Sequence, residues 1–199
     1  MSICTLQNNQ LNKAGIYWRK RDPKQSTDFS FSRFLVPHLM NFKGWAIFMD
    51  CDMLCQADIS ELWEQKDESY SVMCVKHNHN PSEKTKFLGE PQTSYPKKNW
   101  SSLMLMNCAK CRSLNINYVN TASGLDLHRF NWLPSEEEIG EIKGSWNCLV
   151  ENDQDEGIDK ASLIHWTLGG PWFKDQRDLQ NKLSHKWFKA REDAMKLYD

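Results

Sequence analysis

The chain has 199 residues, with 25 Lys plus Arg against 26 Asp plus Glu and a formal net charge of -1. Its 40% hydrophobic content and 9 Trp suffice to fill a core, which excludes wholesale disorder. The near-neutral charge excludes a nucleic-acid binder acting through bulk electrostatics. The length predicts one domain over residues 1–199, and the apolar runs are too short to span a bilayer. The first six residues lack the charged and apolar regions of a secretory signal, and 7 Cys, an odd number, fit a reducing cytoplasm better than a disulfide framework.

Taken in chain order, residues 1–6 read as a strand and 19–28 as a polar loop. Phe31, Phe34, Leu35 and Leu39 then recur at helical spacing. Trp45 to Met49 is a short continuous apolar run between Gly44 and Asp50, the pattern of a strand buried on both faces. Asp58 with Glu61 gives a capping-box-like helix start, and Tyr70 to Val75 is the next strand. Residues 77–99 form a long polar loop carrying Pro81, Pro91 and Pro96, with His77 and His79 as weak acceptor-site candidates and several Lys. Leu103 to Met106 reads as another buried strand, with Asn107 capping the helix after it. Ser135 and Glu138 suggest a second capping box, so that Glu136 to Glu138 occupy a first helical turn. Ser162 to His165 is a short strand before a Gly169-Gly170-Pro171 turn, and residues 174–199 form a C-terminal amphipathic helix with Leu179, Leu183 and Trp187 on one face. Strands alternating with helices predict an α/β fold with a mostly parallel sheet.

The chemistry concentrates at Asp50-Cys51-Asp52, directly after the apolar run. Side chains at i and i+2 of an extended segment point the same way, and two carboxylates that close repel unless a cation joins them. A hard divalent ion with oxygen ligands, Mg or Mn, suits them; so do two plain turn carboxylates, or one cap and one surface charge. His165 also ends an apolar stretch, where it is either a third ligand or a structural His. The adjacent glycines allow backbone N–H groups to approach phosphate closely. Cys108-x-x-Cys111 has no second pair at matching spacing, so zinc is disfavoured.

Arg33, the strand into Asp50-Cys51-Asp52, the run Asn99 to Asn107, the Trp146-Asn147 pair and the run His165 to Trp172 occur in one order. Together they resemble family 8 glycosyltransferases, the group of glycogenin and the lipooligosaccharide galactosyltransferases, and within it a bacterial subgroup. The resemblance runs from about Thr5 to Phe173. It implies a GT-A-like (Rossmann-like) fold and a retaining transferase that uses Mn2+ or Mg2+ to move a hexose from a nucleotide-diphosphate sugar to a glycan or lipid-linked acceptor. By that carry-over Asp50, Asp52 and His165 hold the metal. Arg33, Asp50, Trp100, Ser102, Asn147, Gly169 and Gly170 lie along the donor. Gly170 stands where the family carries Lys, and Lys174 just beyond is the candidate replacement. Asp126 falls near the family's acidic cluster, as the group that orients the sugar or faces positive charge at the anomeric carbon. A salt-bridged Arg33 and a helix-capping Asp126 are the plainer readings.

The metal motif begins early, so the resemblance implies an N-terminally truncated fold lacking the family's first βα unit. An oligomer or a partner is then expected to cover the strand left at the sheet's edge. Two rival functions stay open: a degenerate, non-catalytic structural or interaction module, and a metal-dependent nucleotidyltransferase built on the same paired carboxylates.

Overall fold

The computed structural model describes residues 2–21, 25, 27–77, 97–150, 158–174 and 183–197. The expectations for most of the 77–99 loop and for Leu179 fall outside these residues. The chain divides into two compact units, Met1–Met49 with Gln65–Ile142, and Asp50–Glu64 with Lys143–Asp199. Both combine strands with helices, as the α/β expectation requires.

The first unit is built on a four-stranded sheet. Its strands are β1 (Trp45–Met49), β3 (Val72–Cys74), β4 (Leu103–Asn107) and β5 (Ile139–Glu141), in the order β1-β4-β3-β5. Leu103 to Met106 are fully buried in β4, because both faces of that strand are covered. The main core packs Met104 and Met106 against Phe34, Leu35, Leu114 and Leu127. Short helices line this core: α1 (Asn8–Lys13), α2 (Val36–Leu39), α4 (Ile116–Thr121) and α5 (Gly124–His128). Local chemistry starts two of them. The Asn115 side chain accepts from the Tyr118 N–H at the head of α4, and Ser123 accepts from the Asp126 N–H at the head of α5.

The second unit holds a three-stranded sheet, β2 (Met53–Cys55), β7 (Leu163–His165) and β6 (Cys148–Leu149), ordered β2-β7-β6. Helix α3 (Ile59–Trp63) begins at Asp58, whose carboxylate accepts from the Ser60 N–H as expected. A small core of Ala161, Ile164, Trp166 and Leu183, joined by Trp172 and Trp187, lies behind the sheet. Helix α6 (Ser184–Met195) realises part of the predicted C-terminal helix.

Several expectations are corrected. The strand pairings among the described residues are mixed rather than mostly parallel: β1–β4, β3–β4 and β2–β7 are antiparallel, while β3–β5 and β6–β7 are parallel. An apolar run marks a segment able to be buried as a strand; it fixes neither the direction of its neighbour nor how far each face is covered. For the same reason β1, read as doubly buried, is only half-buried and stands at one end of its sheet among the described strands. Residues 2–6 form no strand and are largely exposed. Asn107 caps no helix; it ends β4, and its amide donates to Glu68 at 2.9 Å. Ser135 makes no capping bond either, so Glu136–Glu138 is a single 3-10 turn leading into β5. Among the described residues no helix is long and apolar enough to cross a membrane.

Candidate metal centre

The second unit brings together three of the expected residues. Asp50 opens the turn after β1, and Asp52 stands at the mouth of β2. Antiparallel pairing sets Met53 opposite His165, and the Trp166 N–H donates to the Asp52 carbonyl at 3.0 Å. This ladder bond clamps the Asp turn to the end of β7. One ligand atom each from Asp50, Asp52 and His165 lies within 4.8 Å of the others.

His165 is buried, at 3% exposure, and its Nε2 stands 3.3 Å from Asp52 Oδ1. That carboxylate oxygen is itself buried and makes no hydrogen bond among the described residues. On the far side of the ring, His165 Nδ1 lies 2.8 Å from Asn147 Oδ1. An amide oxygen can only accept, so Nδ1 is the donor in this contact. Nε2, on the other side of the ring, is the nitrogen that faces the carboxylates. Two carboxylates and an imidazole nitrogen gathered this closely are the kind of set that a cation joins. Oxygen and imidazole donors at these separations fit an ion with bonds of about 2.0–2.6 Å. The donor set therefore fits a divalent metal.

The neighbouring turn explains its glycines. Gly169 has φ 108°, a conformation that side chains strongly resist. Gly170 is buried against Trp172: a Cβ there would lie 2.2 Å from the indole ring. Lys174 is exposed, in the described stretch just after this turn.

The first unit holds the remaining candidates, and there the protein itself occupies their polar groups. Arg33 is 7% exposed; its Nε donates to the Ser30 carbonyl and its Nη1 to the Ser101 carbonyl, each at 2.9 Å, and its guanidinium lies 5.1 Å from the centre of the Phe48 ring. The Trp100 indole donates to the His77 carbonyl at 3.0 Å, and the Ser102 hydroxyl to the Asn99 carbonyl at 2.5 Å. Asp126 is not the cap but sits in the first turn of α5 and bonds to it: one oxygen accepts from the hydroxyl of the N-cap Ser123 at 2.6 Å, the other from the Asn131 amide at 2.8 Å. The Ser123 and then the Asn131 hydrogen bonds hold its carboxyl below the usual range. Cys108 and Cys111 are buried thiols donating to the carbonyls of Met106 and Ser71. Burial pushes Cys108 up to about 11 and Cys111 higher still, which suits small hydrophobes and not thiolate ligands.

Residues 3–176 match the family described as Glycosyl transferase family 8. This chain belongs to that family. It is 44% identical over 204 residues to Protein CDI of Arabidopsis thaliana, across 98% of this chain and 76% of the plant protein. The relative is from a plant, so the match does not point to the expected bacterial subgroup. The structure of the galactosyltransferase LgtC in complex with donor and acceptor sugar analogs aligns with a TM-score of 0.50 at 10% identity, over 88% of this family 8 chain and 70% of that one. At such low identity the likeness shows the fold alone, that of GT-A glycosyltransferases. A glycosyltransferase involved in the glycosylation of the major capsid of PBCV-1 aligns at 0.49 with 12% identity, covering 88% of each chain. The carboxylate pair and the His of this family 8 protein were legible in its sequence. The contact between Asn147 and the His165 ring was not, although an Asn two residues after Gly144-Ser145 hints at a bent backbone.

Proposed function

We propose that this chain is a metal-dependent hexosyltransferase that moves a sugar, with retention, from a nucleotide-diphosphate donor such as a UDP-sugar to a glycan or lipid-linked acceptor. The observation that carries this reading is the convergence of Asp50, Asp52 and the His165 Nε2 on one point, with Asp52 Oδ1 buried and lacking a hydrogen bond among the described residues. Those three residues would hold Mn2+ or Mg2+. When bound, such an ion stabilises the negative charge that develops on a departing diphosphate. The half-buried Asp pair fixes where the diphosphate sits. The glycine turn at Gly169 and Gly170 follows His165 closely along the chain, and Lys174 just beyond it is the candidate cation where the family's Lys is replaced by Gly170. The 7 free cysteines fit a reducing, cytoplasmic setting.

Calorimetry with Mn2+ and UDP, followed by nucleoside diphosphate release from a UDP-hexose, tests the proposal. Metal-dependent release of UDP supports it. Release of pyrophosphate from a nucleoside triphosphate indicates a nucleotidyltransferase instead. No Mn2+ binding at millimolar concentration overturns the reading in favour of a non-catalytic module.

A further inference from the structure

The geometry points to Asn147 as a positioning residue whose amide oxygen fixes the ring of His165, so that Nε2 presents its lone pair to Asp50 and Asp52. This rests on the metal-centre reading above and gives Asn147 a role other than contact with the donor.

Three features of the chain support it. First, Asn147 is fully buried and its Oδ1 lies 2.8 Å from His165 Nδ1, while the opposite ring nitrogen lies 3.3 Å from Asp52 Oδ1. A His ring held on one nitrogen by an acceptor has one tautomer and one orientation for the other nitrogen. Second, the backbone at Asn147 is left-handed, with φ 59°. Asn tolerates that conformation better than most side chains, and Gly tolerates it fully. The parallel register pairs Leu149 with His165 and Cys148 with Ile164, so Asn147 precedes the strand. The left-handed bend there accompanies a side chain that reaches two residues further along β7 than strict register would place it.

Third, the stretch before Asn147 is tied to the opposite end of β7. The Ser145 carbonyl accepts from the N–H groups of Ser162 and Leu163 at 2.9 and 3.2 Å, and the Ser145 and Ser162 hydroxyls lie 3.1 Å apart. Beyond Asn147, the Val150 N–H donates to the His165 carbonyl at 3.0 Å. The chain on both sides of Asn147 is thus pinned to the strand that carries His165. The residue between these anchors has little freedom to point elsewhere, and the ring it meets has little freedom to turn.

The backbone requirement and the hydrogen-bond requirement are separable by substitution. Asn147→Gly keeps the left-handed bend and deletes the oxygen. Asn147→Asp keeps an acceptor at the same place. Mn2+ affinity is measured by calorimetry on the full chain, with thermal melting as the fold control and Co2+ absorption as a report on the ligand set. Expected are Mn2+ binding weakened about 10–100-fold with an altered Co2+ spectrum in Asn147→Gly, and affinity held or tightened in Asn147→Asp. Nitrogen-15 spectra of the metal-free wild-type protein should show the His165 proton on Nδ1. Equal Mn2+ affinity and an unchanged Co2+ spectrum in a folded Asn147→Gly protein overturn the inference. So does a proton found on Nε2, a result that needs no variant to fold. If the wild-type chain itself fails to bind Mn2+, the metal centre is wrong and this role falls with it; if only the variants behave alike, the metal centre stands and Asn147 loses its part.

Discussion

Two sets of polar residues, each pointed to by the same sequence patterns, meet opposite fates in the two units. In the first unit, Arg33, Trp100, Ser102 and Asp126 donate to or accept from protein groups, some within a turn or helix start and some, as from Arg33 to Ser101 and from Trp100 to His77, across the fold. In the second, ligand atoms of Asp50, Asp52 and His165 lie within 4.8 Å of one another, and Asp52 Oδ1 is buried without a hydrogen bond among the described residues. Polar groups matched to each other stabilise the chain by about 0.5–1.5 kcal/mol per hydrogen bond. The clustered ligand atoms of Asp50, Asp52 and His165 form a set suited to a cation. The contrast separates residues bonded into the first unit from residues placed where they could hold a ligand.

The largest expected effect breaks that comparison at the metal centre. Asp52→Ala should weaken Mn2+ binding by more than about 100-fold, since losing an outer partner of a ligand already costs about 10–100-fold. Calorimetry reads this directly. The melting temperature of the metal-free variant should stay level or rise, because a carboxylate facing another carboxylate has been removed. Arg33→Ala should do the reverse. It deletes a buried cation hydrogen-bonded to two carbonyls and should lower stability by about 2–4 kcal/mol in urea denaturation, with Mn2+ affinity unchanged.

Gly170→Ala sharpens the comparison inside the second unit. The added methyl meets the Trp172 ring, so overpacking of about 1–3 kcal/mol should appear as a lower melting temperature. The smallest effect belongs to Asp126. Its native pKa is depressed by the Ser123 and Asn131 hydrogen bonds, so its stabilising contribution is present above the ordinary value of about 4 and is lost as pH falls through the lower native value. Asp126→Asn should flatten the acid limb of stability below about pH 4. At pH 7 it should cost under about 1 kcal/mol, as for other exposed charge contacts. Melting curves at pH 3 and pH 7 check this.

Much of the fold was legible because local patterns carried it. The apolar run 45–49, the run 103–106 and the short stretch ending at His165 all became strands, and Asp58 became the cap it was read as. The misreadings share one cause. Asn107 and Ser135 look like caps on composition, yet tertiary pairing draws the Asn107 side chain to Glu68 and reduces 136–138 to one turn. Residues 2–6 have strand-like composition but no partner strand to pair with among the described residues. At the site, spacing two residues apart was enough to suggest that Asp50 and Asp52 share a side, because that follows from the geometry of an extended chain.

The sequence by itself determined which side chains could serve chemistry here: a carboxylate pair at a strand end, a distant His, and glycines beside it. Only the tertiary structure decided that the His stands 3.3 Å from one of those carboxylates and that Asn147 grips its other nitrogen. The physical reason is that Asp52 and His165 are 113 residues apart along the chain and meet only through the pairing of β2 with β7, a register set by the strands' shared packing and not by any local preference.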